Sequence, residues 1–131
     1  MVGACKKSML DQYTNFQEGV SIKYEYCDSY KCREIPLKND SIIHGYLKSF
    51  YQNGEINHVV RYENGIKNGS EKHFYPNGKP ALELENLNGK THGIMREYFR
   101  NGILKNEYSF FLGKYFGRQT DYNNSGKIET L

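Results

Sequence analysis

Glycine recurs along this chain at a fixed interval of 24 residues. Gly45, Gly69, Gly93 and Gly117 form one column, Gly54, Gly78, Gly102 and Gly126 a second, and Gly65, Gly89 and Gly113 a third. Eleven of the thirteen glycines fall in these columns. A period of this length marks a tandem array, in which each unit is one supersecondary element that buries its apolar surface against its neighbours. The full units are residues 45–68, 69–92 and 93–116, followed by a partial unit at 117–131. Residues 21–44 fit the same frame as a degenerate unit, with Tyr26 in the place of Phe50 and Ser29-Tyr30 in the place of Asn-Gly.

The residues within a unit define its shape. Asn53-Gly54, Asn77-Gly78 and Asn101-Gly102 separate two short segments of mixed polarity, with Ser125-Gly126 as a weaker fourth copy. Asn-Gly suits a type I′ hairpin turn, which needs positive φ at both central residues. The column Phe50, Phe74, Tyr98 and Tyr122 is aromatic throughout, and the returning arms carry Ile56, Leu104 and Ile128, then Val60, Leu84 and Tyr108. Pro80 is the exception in the first of these. Strand alternation predicts that Ile56 and Val60 share one face and Asn57 and Arg61 the other. The Asn64-Gly65 and Gly45 columns bracket the connection between hairpins, where glycine permits reversal and close backbone approach. The expectation is an all-β domain over residues 21–131, an elongated antiparallel meander of 24-residue hairpins, with residues 1–20 as a tail or cap.

Composition narrows the function. Thirteen Gly, thirteen Asn and twelve Tyr in 131 residues argue against a helix bundle. No apolar run approaches the ~20 residues of a membrane-spanning helix. The net charge of +3 is dispersed, with no basic stripe of the kind a nucleic-acid binder carries.

Phe50-Tyr51-Gln52-Asn53-Gly54, Phe74-Tyr75-Pro76-Asn77-Gly78 and Tyr98-Phe99-Arg100-Asn101-Gly102, each followed by a later Asn-Gly or its counterpart, resemble the bacterial MORN-repeat variant. The resemblance covers roughly residues 45–131 and, more weakly, 21–44. It implies a protein-binding repeat module. Bacterial chains built only of such repeats are often associated with toxin–antitoxin or toxin–immunity pairs, so it also implies an immunity or antitoxin role. Fold alone does not give function.

The amino terminus reads Met1-Val2-Gly3-Ala4-Cys5. Val-Gly-Ala-Cys resembles the end of a bacterial lipoprotein signal peptide, which would make Cys5 a lipidation site and the chain a periplasmic or outer-membrane lipoprotein. The alternative is an ordinary amino terminus of a cytoplasmic chain. Met9 to Phe16 has room for one or two helical turns. With Cys5 set aside, Cys27 and Cys32 remain to flank the turn of the degenerate unit, close enough for a disulfide across a hairpin. Two reduced thiols are the other reading.

No catalytic signature emerges. His44 and His92 each precede a repeat glycine and read as turn residues, while His58 and His73 lie on adjacent units in different columns. No His-x-x-x-His pair, nucleophile elbow or phosphate loop occurs. Glu83, Glu85, Glu97 and Glu107 alternate with apolar residues, as on the solvated side of a sheet. The chain reads as a non-enzyme without cofactor or metal. Its binding candidates are the column Tyr51, Tyr75 and Phe99, which follows the core aromatics and faces the other side, with His58 and Arg61 beside it. These rings form a line of anchors on an open face, or the sheet is curled and both its faces pack, or the rings cover neighbouring turns. In the last full unit the connection becomes aromatic at Phe110, Phe111, Tyr115 and Phe116, either as a cap on the array or as a patch for a partner.

Overall fold

The computed structural model describes residues 13–15 and 17–129. They form one antiparallel sheet of eleven strands: β1 (Val20–Cys27), β2 (Tyr30–Lys38), β3 (Ile42–Ile43), β4 (Gly45–Phe50), β5 (Ile56–Glu63), β6 (Ile66–Phe74), β7 (Pro80–Leu87), β8 (Lys90–Thr91), β9 (Gly93–Tyr98), β10 (Leu104–Phe111) and β11 (Lys114–Asp121). The sheet order is β1-β2-β4-β5-β6-β7-β9-β10-β11, so each long strand pairs with the next long one. The short β3 and β8 are the first parts of the outgoing arms that continue as β4 and β9, and they pair with β2 and β7. The hairpin meander expected from the glycine columns is the fold. Among the described residues no helix is long and apolar enough to cross a membrane.

The two Asn-Gly columns make different turns. Asn64-Gly65 joins Glu63 to Ile66, its paired neighbour, with φ of 49° and 86°. Asn88-Gly89 repeats the pair of positive φ values, and Leu112-Gly113 follows with 47° and 87°. These two-residue reversals have the conformation of type I′ turns. At Asn53-Gly54 only the glycine has positive φ. There the Gly54 amide donates to the Tyr51 carbonyl and the Tyr51 amide to the Glu55 carbonyl, the pattern of a longer loop built on a type I turn with a glycine bulge. The Asn53 side chain takes a different task, accepting from the Glu55 amide at 2.9 Å. The type I′ geometry expected of this column therefore belongs to the other one.

The core also departs from simple alternation. Phe50 pairs with Ile56 but Ser49 pairs with His58, so Asn57 is an extra residue in β5. A bulge of this kind turns the following side chains over. Ile56 consequently shares a face with Val59 rather than Val60, and Tyr13, Phe50, Ile56, Val59 and Phe74 form the core cluster with Tyr46 packed against it. Val59 and Val60 are 2% and 1% exposed although they point to opposite faces, so β5 is buried on both sides. The extra residue recurs at Ala81 and Lys105, one repeat apart, as the pairings Phe74–Pro80 and Tyr98–Leu104 show.

Residues 13–15 hold the first part of the array. The Asn15 side chain accepts from the Tyr46 amide at 2.7 Å and donates to the Tyr46 carbonyl at 2.8 Å, in the manner of a neighbouring strand. It also donates to Glu34, whose carboxylate pairs with the buried Lys48 at 2.8 Å. A buried ion pair costs desolvation and is tolerated where further hydrogen bonds complete it, as Asn15 does here. The helical turns expected from Met9 to Phe16 lie largely outside the described residues, as does Cys5.

Candidate functional site

The aromatic column Tyr51, Tyr75 and Phe99 is half-buried. The Tyr51 hydroxyl donates to the Phe74 carbonyl, and the Tyr75 hydroxyl to the Tyr98 carbonyl at 2.6 Å. Each ring thus reaches from its own turn to the outgoing strand of the next unit. Phe99 has no hydroxyl, and the Lys105 ammonium lies over its ring instead. The two tyrosines of the column thus brace the neighbouring unit, in line with the reading that these rings cover neighbouring turns. Asn77 and Asn101 add to the stack by donating to the carbonyls of Arg100 and Asn124, 23 residues on in each case.

A second ladder runs along the opposite edge. Gly65, Gly89 and Gly113 donate their amides to the carbonyls of Ile43, Lys67 and Thr91 in the preceding unit. His44 and His92 accept, through Nδ1, from the amides of Asn64 and Leu112, and Asn68 accepts through its side chain from Asn88 in the same role. His44 lies between β3 and β4 and His92 between β8 and β9, so each braces the turn of the following unit rather than lying in a turn, as the sequence suggested. Arg61 is engaged as well, donating to the Asn68 carbonyl at 2.8 Å and pairing with Glu63.

The carboxyl-terminal end differs. Phe111, Leu112, Tyr115 and Phe116 are exposed at 59%, 41%, 49% and 52%. In the place of Phe111 to Phe116 the first full unit has Glu63-Asn64-Gly65-Ile66-Lys67-Asn68 and the second Leu87-Asn88-Gly89-Lys90-Thr91-His92. The pairings of Ser109 with Phe116 and with Ile94 put Ile94, Phe111 and Phe116 on one face of the sheet. Tyr115 lies on the other, edge-on to Tyr108 and Phe110. The aromatic connection is therefore an open surface among the described residues.

One polar cluster was not legible as a unit in the sequence. His58 on β5 and His73 on β6 are register partners, and their rings stack at 4.0 Å with 18° between planes. Both direct Nε2 to Oε2 of Glu71, at 3.1 and 3.2 Å, and since a carboxylate only accepts, both rings donate. The other oxygen, Oε1, accepts from Asn86 at 2.9 Å and Lys67 at 3.2 Å. The hydrogen bonds from His58 and His73 outweigh burial and, with those from Asn86 and the charge of Lys67, hold the Glu71 carboxyl well below the usual carboxylate range. The buried glutamate is thus fully partnered. His58 therefore stands inside this cluster rather than at a free edge.

At the other end of the sheet Cys27 and Cys32 form a disulfide with Cα atoms 5.6 Å apart. Glu25 pairs with Arg33 and Tyr26 with Lys31, so Cys32 is the extra residue of a bulge rather than the direct partner of Cys27, which pairs with Tyr30.

Together the ladders, the stacked turns and the regular bulges define a β-hairpin repeat protein. Three of the repeats match the family model described as the MORN repeat variant, at residues 43–64, 67–85 and 91–111. MORN repeats are commonly protein- or membrane-binding modules. No curated protein matches the chain.

Proposed function

We propose that the chain is a protein-binding module whose contact surface is the aromatic end built by β10 and β11, and that its partner is a bacterial toxin which it neutralises by steric occlusion. The observation that carries the binding reading is the exposed strip of Ile94, Phe111 and Phe116 with Leu112 beside it. Contiguous apolar surface of this kind marks an interaction site more often than it decorates a free domain. Bulky aromatics are effective anchors because they bury large area at low entropic cost. An interface of standard size needs about 800 Å² from each partner. In this reading Tyr51, Tyr75 and Phe99 serve the array, and the chain acts as a binder rather than an enzyme.

The toxin assignment rests on the association of MORN-variant chains with immunity and antitoxin roles. The disulfide between Cys27 and Cys32 supports an oxidising compartment, which suits a periplasmic immunity protein. It equally favours a second reading, a lipoprotein tethered through Cys5 that acts as an envelope scaffold without a toxin partner.

The experiment is affinity capture with the full chain from its native cell, followed by an activity assay of any stoichiometric partner with and without the chain. Loss of a toxic activity on equimolar addition supports the immunity reading. Capture of envelope components alone, with no activity suppressed, supports the scaffold.

A further inference from the structure

We infer that His58, Glu71 and His73 form a binding site for a borderline divalent cation, with zinc(II) the best-suited ion. Two imidazoles and one carboxylate are a donor set that zinc accepts. Their ligating atoms lie within 4.8 Å of one another. The Nε2 to Oε2 separations of 3.1 and 3.2 Å are a few tenths of an ångström short of the ligand–ligand edge of a tetrahedron, which bonds of roughly 2.0–2.2 Å put at about 3.3–3.6 Å.

The surroundings are those of a supported ligand. Lys67 and Asn86 fix the outer oxygen of Glu71, which leaves Oε2 turned to the two rings. Hydrogen-bonded outer partners of this kind orient metal ligands and preserve their ionised form. Glu71 is 9% exposed, whereas His58 and His73 are 24% and 37% exposed, so an ion has an approach from the imidazole side. The backbone sets the arrangement: cross-strand partners share a face, and Glu71 is two residues from His73 along β6.

Stacked rings hold their in-plane lone pairs nearly parallel, and an ion needs them to converge. Closure therefore requires one ring to swing out of the stack. His73, the more exposed, is the one free to do so. Each neutral imidazole carries its Nε2 proton over to Nδ1 through solvent, and an imidazolium releases one proton, so the ion replaces the two N–H···O contacts to Glu71. Water completes the coordination.

The test uses the untagged full chain, stripped with chelator and titrated with zinc chloride by calorimetry. One zinc per chain is expected, undisturbed by excess magnesium, since that hard cation favours oxygen ligands. His58→Gln and His73→Gln each weaken binding by at least about tenfold. Should H58Q fail to fold, H73Q at the more exposed ring decides alone. In nitrogen-15 spectra zinc shifts the ring signals of His58 and His73 and leaves those of His44 and His92 in place. Absence of one-to-one binding, affinity unchanged in H73Q, or shifts confined to His44 and His92 would each overturn the inference.

Discussion

Tyr75 of one repeat donates its hydroxyl to the backbone carbonyl of Tyr98 in the next, at 2.6 Å. Tyr51 makes the same bond to Phe74 one unit earlier. The array is thereby tied together by side chains as well as by strand pairing. Removing the hydroxyl in Tyr75→Phe keeps the ring and deletes the bond, at a cost of about 1 kcal/mol. Chemical denaturation measures it. An unchanged midpoint in both Y75F and Y51F shows that the hydroxyls contribute nothing to the stack.

Glycine is needed for two separate reasons, which substitution separates. At Gly69, φ is 109°, and an added Cβ meets the Cδ of Arg61 at 2.9 Å, while at Gly54, φ is 90° with open space around it. Gly54→Ala incurs only the left-handed backbone cost of about 1–2 kcal/mol. Gly69→Ala adds displacement of Arg61 from its bond to the Asn68 carbonyl, so it destabilises more. Equal losses in the two variants contradict this ordering.

Leu112 occupies, with φ of 47°, the turn position that Asn64 and Asn88 fill in earlier units. Asn tolerates this region and Leu does not. Leu112→Asn is therefore expected to raise stability by about 1 kcal/mol and to weaken partner binding by removing exposed apolar surface. A thermal melt and a binding assay on one sample read both effects. A variant that gains stability and keeps full affinity removes Leu112 from the contact.

Glu71 makes stability depend on pH. Its folded pKa lies well below the usual carboxylate range, chiefly through the hydrogen bonds from His58 and His73. A depressed carboxylate contributes stability that is fully present above its unfolded pKa and is lost as pH falls toward the folded one. Stability of the wild type should decline as pH falls below about 5. In Glu71→Gln that decline is shallower, though the variant is less stable at neutral pH. Parallel acid limbs from urea titrations of the two proteins argue against this role.

Reduction of the Cys27–Cys32 bridge opens a short loop, worth about 2 kcal/mol in the chain-entropy model. Among the described residues β1 pairs with β2 alone. The loss should therefore appear first as faster amide exchange in β1, with β5 and β6 unaffected. Uniform acceleration across the sheet points instead to global destabilisation.

The fold was legible because glycine spacing, turn dipeptides and aromatic columns report backbone geometry directly. The type I′ turn fell in the other column because Asn-Gly serves two turn types: at residues 53–54 the Asn side chain bonds the backbone, and at 64–65 its own φ is positive. The pairing of Ile56 with Val60 failed because the extra residue Asn57 leaves no mark in the apolar pattern. The histidine cluster was hidden for a related reason. Counting back from the Asn64-Gly65 turn puts His58 opposite residue 71. Arg61 faces the three residues Asn68 to Ser70, however, and this moves the pairing by two, to His73. A shift of two preserves the face, so Glu71 remains beside both rings. The exposed end could be seen in part, since aromatic residues replace polar ones at 115 and 116, but a sequence does not say whether such a segment folds back or stays open.

The central claim, that the β10–β11 end is the contact surface for a protein partner, is tested most directly by affinity. With the captured partner in hand, binding of the wild type is compared with that of Phe111→Ser/Phe116→Ser. Both side chains are more than half exposed, at 59% and 52%, so the variant is expected to stay folded. The account predicts at least about a tenfold loss of affinity, since truncating an anchor typically costs more than 1 kcal/mol. Full affinity in the folded double variant would contradict it.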